Sequence, residues 1–302
     1  MNKINIFIYL IMSISIILAA CGNKVTSDIK NYKAEMQDVQ SEEKKLVHEL
    51  DKLGLDKADQ LLGSEVTEEK KKKLKLIEAS IHNKIKPQLK VYEKKVKAIN
   101  PETSEVKDVH NIYKRNLIKK KQFILDLENY MKLFNQSIQS NEKILQYTQL
   151  FEKNKALSEQ YANQVSAKGK DAKEYELLAD IINDNSKQLK NKVEYLSTDA
   201  TVKQKQQYIE NKLLPFLKSN VDKLNQTQIS SKHVLGMRKA TIEIYYSLIN
   251  YYRERKLAMN IETKLQNMPI QDILKNTKYI QSIDDEYYEA LRKLEEKIND
   301  TL

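Results

Sequence analysis

The chain has 302 residues but only 5 Gly and 4 Pro, where average usage would supply roughly 21 and 15. Sheet proteins and nucleotide-binding folds, which need those residues at turns and phosphate loops, are thereby excluded. Charged residues at 31% and hydrophobic ones at 40%, with a formal net charge of +10, describe long amphipathic helices too apolar for a disordered chain.

The first element is a leader. Met1-Asn2-Lys3 is followed by an apolar run from Ile4 to Leu18, interrupted only by Asn5, Ser13 and Ser15. A basic start, an apolar middle and small residues at the end make a signal peptide of residues 1–20. Its last residues, Leu18-Ala19-Ala20, precede Cys21, the one cysteine of the chain. Leu-Ala-Ala-Cys resembles the lipobox of bacterial lipoproteins, which implies cleavage before Cys21 and a diacylglycerol on its thiol. The competing reading, a transmembrane anchor with an incidental cysteine, suffers from a run that is short for a span. Two acyl chains give stable attachment, so the mature chain is expected on the extracytoplasmic face of the membrane. Residues 21–27 are then the lipidated cysteine and a polar tether, and 28–302 an elongated all-helical ectodomain.

The mature chain loses only Lys3, leaving a net +9, and its cations are 46 Lys against 5 Arg. Without arginine's planar fork this is diffuse attraction to polyanions, not bidentate recognition. Outside the cell those polyanions are lipid headgroups and, in a Gram-positive envelope, teichoic acids; nucleic acid is in the wrong compartment.

Ser27-Asp28 offers an N-cap for a first helix. Ile29, Tyr32, Met36, Val39, Leu46, Leu50 and Leu53 then alternate three and four apart, a coiled-coil seam interrupted once by Glu43 and stopped by Gly54. After a loop from Gly54 to Gly63, Thr67-Glu68-Glu69 opens a second helix with the stripe Leu74, Ile77, Ile81, Ile85, Leu89, Tyr92, Val96 and Ile99. Pro87 predicts a kink in it, and Asn100-Pro101 ends it. Glu102 to Lys168 lacks both Gly and Pro. Its apolar stripe, Val106, Val109, Tyr113, Leu117, Ile124, Leu127, Met131, Phe134, Ile138 and Leu145, predicts one long helix with a possible break at Gln139–Glu142. A fourth helix is expected from about Asp171 to Leu196, a fifth from Ala200 to Leu235 with a kink at Pro215, a sixth from Met237 to Asn267, and a last one after Met268-Pro269. No strand pattern and no repeat of 30–45 residues is present. The expected fold is all-α: an elongated antiparallel helical bundle with coiled-coil arms and no sheet.

Catalytic patterns are scarce. His48, His82, His110 and His233 stand far apart and read as surface residues; His48-Glu49 begins a zinc-protease helix but has Lys52 where the second histidine belongs. No phosphate loop, nucleophile elbow or metal-ligand spacing occurs, so neither a cofactor nor a metal is expected. The run Lys70, Lys71, Lys72 and Lys73 is either solvated surface or a polyanion site, and Lys119–Lys121 likewise. Tyr245-Tyr246 and Tyr251-Tyr252 on the apolar sixth helix, like Tyr287-Tyr288, are either core with hydroxyls at the rim or a tyrosine-lined cleft for sugar rings.

The lipobox, a lysine-rich helical ectodomain of this length and the segment Glu243-Ile244-Tyr245-Tyr246 together resemble the EMYY-motif lipoproteins of staphylococci, similar to YkyA-type cell-wall-binding lipoproteins. Ile244 stands where the motif has methionine. The resemblance implies a surface lipoprotein that binds the wall and brings no catalytic residue to carry over. Two functions follow as expectations. One is a non-enzymatic tethered protein that binds an anionic wall polymer (teichoic acid or peptidoglycan) or an envelope protein; the other is a wall hydrolase or its obligatory helper.

Overall fold

The computed structural model describes residues 3–55, 67–269 and 279–300, with side chains from Lys24 onward except at position 281. In chain order the helices are α1 (Lys3–Asp51), α2 (Glu68–Ser80), α3 (Lys86–Ala98), α4 (Ser104–Ala162), α5 (Lys170–Glu194), α6 (Val202–Tyr208), α7 (Leu214–Gln226), α8 (Lys232–Gln266), α9 (Tyr279–Ser282) and α10 (Asp285–Asn299). All regular structure among the described residues is helical. The chain divides into two compact units, one made of Met1–Lys132 with Met268–Leu302 and the other of Leu133–Asn267.

In the first unit the apolar stripes fold as their spacing dictates. All seven seam residues, six on α1 and Leu53 just past its end, and all eight stripe residues from Leu74 to Ile99 are buried. The helix start expected at Ser27-Asp28 is not there, because α1 already runs through it from Lys3. Asp28 instead accepts hydrogen bonds from the Glu102 and Thr103 amides (3.1 and 2.7 Å) and from the Thr103 hydroxyl, holding the turn that opens α4. Burial alone would raise its carboxyl, but those donors outweigh it and keep the pKa below the ordinary value. Residues 56–66, which include most of the expected Gly54–Gly63 loop, and residues 270–278, in the expected last helix, lie outside the described residues.

Both expected proline kinks take the form of a single π-helical turn, Ile81–Ile85 before Pro87 and Ile209–Leu213 before Pro215. Proline has no N–H to give, so the amide just ahead of each, Lys86 or Leu214, reaches back five residues to Ile81 or Ile209. α4 is unbroken at Gln139–Glu142. The break expected at Leu235–Met237 falls earlier, between Gln226 and Lys232. There Glu174 accepts from the Ser230 and Ser231 amides (3.0 and 2.8 Å), and Arg238 donates to the Thr227 carbonyl at 2.6 Å. The Ser231 and Ser230 hydrogen bonds hold the Glu174 pKa down to about 2. Gly236, which stands between the two expected helices, lies inside α8, where a Cβ would meet the Tyr161 ring at 2.6 Å; the glycine allows close helix approach.

The two units share an internal pattern. Ile81-x-Asn83-Lys84-Ile85-x-Pro87-x-Leu89 returns as Ile209-x-Asn211-Lys212-Leu213-x-Pro215-x-Leu217. The π turns, the helices that follow and the starts of α4 and α8 keep one offset of 128 residues (81 to 209, 86 to 214, 104 to 232). Asp28 of α1 and Glu174 of α5 perform the same task on the corresponding turns. Each unit is thus a copy of one three-helix plan, with a fourth element laid on it: α10 in the first unit, the later part of α4 in the second.

Candidate functional site

The centre of the first unit is polar. Lys120, 1% exposed, donates to both Glu43 and Asp284. Tyr113 donates to Glu43 at 2.7 Å, Tyr92 to Tyr113 at 2.9 Å, and Asn116 to Asp284 at 3.2 Å. The Lys120 ammonium also lies 5.4 Å from the Tyr113 ring centre and 5.7 Å from that of Tyr92, within cation–π range. Burial pushes the Asp284 carboxyl up to about 6, helped by Glu43 beside it and opposed by Lys120. Burial works on Glu43 in the same direction but loses to the charge of Lys120 and to its hydrogen bonds, so Glu43 stays below its ordinary value. Tyr287 lies over Tyr113 with ring centres 4.8 Å apart, and Tyr32 reaches His110 at 3.4 Å. The surface location expected for every histidine is therefore corrected at His110, which is buried, with its pKa lowered to about 4 by burial and then by Lys114, and at His233, which is half-buried; His48 and His82 are exposed. Lys120 likewise leaves the solvated run Lys119–Lys121.

These residues were detectable as two gaps. Glu43 interrupts an otherwise apolar seam, and Lys120 fills the one empty slot between Leu117 and Ile124 on the α4 stripe. Opposite charges at two gaps in facing stripes are the signal. As arranged, the cluster is closed by Tyr92, Tyr113 and Tyr287 and joins α1, α4 and the residue preceding α10.

The second unit carries an apolar groove. A cavity of about 680 Å³ lies between α5, α8 and the later part of α4. Its walls include Leu189, Ile244, Leu248 and Tyr252, with Ser158 and Thr241 on its floor and Lys155, Lys190 and Glu159 exposed at its mouth. The tyrosine doublets divide, since neighbouring residues on a helix point about 100° apart. Tyr245 is buried, 3% exposed, whereas Tyr246 is 46% exposed. Tyr245 and Tyr252 line the groove, while Tyr246 and Tyr251 do not; the Tyr251 ring meets Tyr252 edge-on at 5.0 Å. Burial raises the Tyr245 hydroxyl, against the approach of the buried Asn185 and Asn220 amides, whose nitrogens close no well-formed hydrogen bond. Of the segment Glu243-Ile244-Tyr245-Tyr246, the middle two residues form groove wall.

Among the lysines, Lys72 and Lys73 are exposed, Lys70 and Lys71 half-buried, and Lys71 pairs with Glu68 at 2.6 Å. The four point around α2 and make no single flat patch. Cys21 and Leu18, Ala19 and Ala20 belong to the stretch of α1 whose side chains are outside the described set. Among the described residues no group of His, Cys, Asp and Glu converges as a metal site, and no helix is long and apolar enough to cross a membrane.

The sequence profile of the EMYY-motif containing lipoproteins matches residues 2–295. Neither a curated protein nor a solved structure matches the chain.

Proposed function

The chain belongs to the EMYY-motif containing lipoproteins, and from that premise we propose that it is a binding protein, not an enzyme, tethered by diacylglycerol on Cys21 to the extracytoplasmic face of a Gram-positive membrane. Its partner in this reading is an anionic wall polymer such as teichoic acid, held by the lysine-dominated surface that includes Lys70–Lys73. The family match spanning the leader, Cys21 and nearly all of the ectodomain carries the tether. The lysine excess supports the choice of partner, because diffuse charge suits a flexible polyanion without a fixed geometry. A hydrolase would need paired acids open to substrate. The acid pair at the centre of the first unit, Glu43 with Asp284, lies instead behind three tyrosines with Lys120 between the carboxylates.

Fractionation of cells expressing the chain and its Cys21→Ala variant tests the tether. The wild type stays with membranes and the variant leaves them; a variant retained in full would defeat the assignment. In the same experiment the released variant is mixed with wall fragments that carry or lack teichoic acid. Binding should need the teichoic acid and decline steadily as salt shortens the screening length from about 10 Å at 0.1 M to about 3 Å at 1 M. Retention of full binding at 1 M salt would rule out the electrostatic partner.

A further inference from the structure

The groove of the second unit occupies the place that the first unit fills with its polar core. Thr241 corresponds to Tyr113 at the offset of 128, Ile244 to Asn116 and Leu248 to Lys120. Leu189 stands as far beyond Glu174 as Glu43 stands beyond Asp28, so Leu189 corresponds to Glu43. Where Tyr287 lies on Tyr113, the second unit has Ser158 with its hydroxyl 3.3 Å from that of Thr241. Two phenol rings are thus replaced by two small side chains, and every charged or amide group of the cluster on these helices by an aliphatic one. The consequence is a cavity with apolar walls at the position of a packed core.

We propose that this groove is a binding site for an anionic amphiphile, with the tail along Leu189, Ile244 and Leu248 and the headgroup at Lys155 and Lys190. Its length argues for a tail: the lining runs from Met237 to Tyr252 on α8, roughly 22 Å at 1.5 Å per residue. Its volume lies within the range of small-molecule sites. The charge at the mouth argues for an anionic head, since two exposed lysines that form no ion pair among the described residues stand there with one glutamate, Glu159. The proposed tether adds only that membrane amphiphiles are within reach; loss of wall binding leaves this site standing.

Calorimetry on the chain from Cys21 onward, with Cys21→Ser so that it carries no lipid of its own, tests the proposal. The probes are dodecyl phosphate, decyl phosphate, dodecyl maltoside and inorganic phosphate, each below micelle-forming concentration. Dodecyl phosphate should saturate one site per chain and bind on the order of tenfold tighter than decyl phosphate, because two more methylenes are buried. Dodecyl maltoside should bind more weakly, and inorganic phosphate not at all. Thr241→Tyr, which returns the first unit's ring to the groove, should weaken dodecyl phosphate by more than tenfold with helicity unchanged. Should that variant fail to fold, Ser158→Phe fills the same space from α4. Lys155→Glu with Lys190→Glu should remove the preference for phosphate over maltoside. Absence of saturable binding, or binding unaffected by a folded groove-filling variant, would overturn the site. Equal affinity for the charged and neutral heads, or binding of inorganic phosphate alone, would overturn the proposed ligand chemistry.

Discussion

Lys120→Met lowers the unfolding free energy by about 3–5 kcal/mol at pH 7, because it leaves two buried carboxylates without their cation. Glu43 and Asp284 then face each other among Tyr92, Tyr113 and Tyr287, with side chains only 12% and 5% exposed. The deficit should shrink at pH 5, where protonation relieves the repulsion; urea unfolding at both pH values reads it directly. A loss under about 1 kcal/mol, or one of equal size at both pH values, would mean that the cluster is not the buried ion group described. Replacing the acids as well, with Glu43→Gln and Asp284→Asn, should recover part of the loss.

The unaltered cluster has a pH window of its own. Asp284 is raised from 3.8 to about 6 in the folded chain, so the stability it contributes is present below the ordinary value and lost as pH rises through 6. Glu43 is held below 4.5, so its contribution is present above that value and lost as pH falls. Between about 4.5 and 6 the two coexist, and the wild type should be more stable near pH 5 than the Asp284 contribution allows at pH 7. Asp284→Asn should flatten that difference.

Tyr245→Ala should cost about 3–5 kcal/mol and Tyr246→Ala within about 0.5 kcal/mol of nothing, although the residues are adjacent and chemically identical. Tyr245 belongs to the buried apolar cluster of the second unit, which also holds Leu178, Leu217 and Val221; truncation opens a cavity there. Tyr246 faces solvent on the other side of α8 and gives up little. Thermal unfolding of the two variants is the comparison, and similar losses would contradict the placement of the doublet. The contrast also separates stability from binding: a ligand-binding defect in a folded Tyr246→Ala variant would point to an exposed sugar platform, not to the groove.

The helices were legible because apolar spacing is a local property. The stripes Ile29 to Leu53 and Leu74 to Ile99 could be read off one residue at a time, since a residue three or four places on returns to the same face whatever the rest of the chain does. Break points were harder. The fifth helix was expected to run to Leu235, but Gly236 sits inside α8 packed against Tyr161, and the turn at Thr227–Ser231 is held by Glu174, more than fifty residues earlier in the chain.

The sequence by itself determined the all-helical class, the family and the stripes buried in the first unit, and it alone raises the expectation of a leader ending before Cys21; all of these depend on neighbours within a few positions. The tertiary structure alone decided that Glu43, Lys120 and Asp284 meet, that His110 is enclosed, that Tyr245 and Tyr287 turn inward while Tyr246 and Tyr288 stay exposed, and that one plan holds a polar cluster in one unit and an apolar groove at the corresponding place in the other. Those outcomes depend on the register between helices distant in sequence. Register is selected by side-chain volume and the pairing of buried charge across the interface, quantities that no single stripe contains.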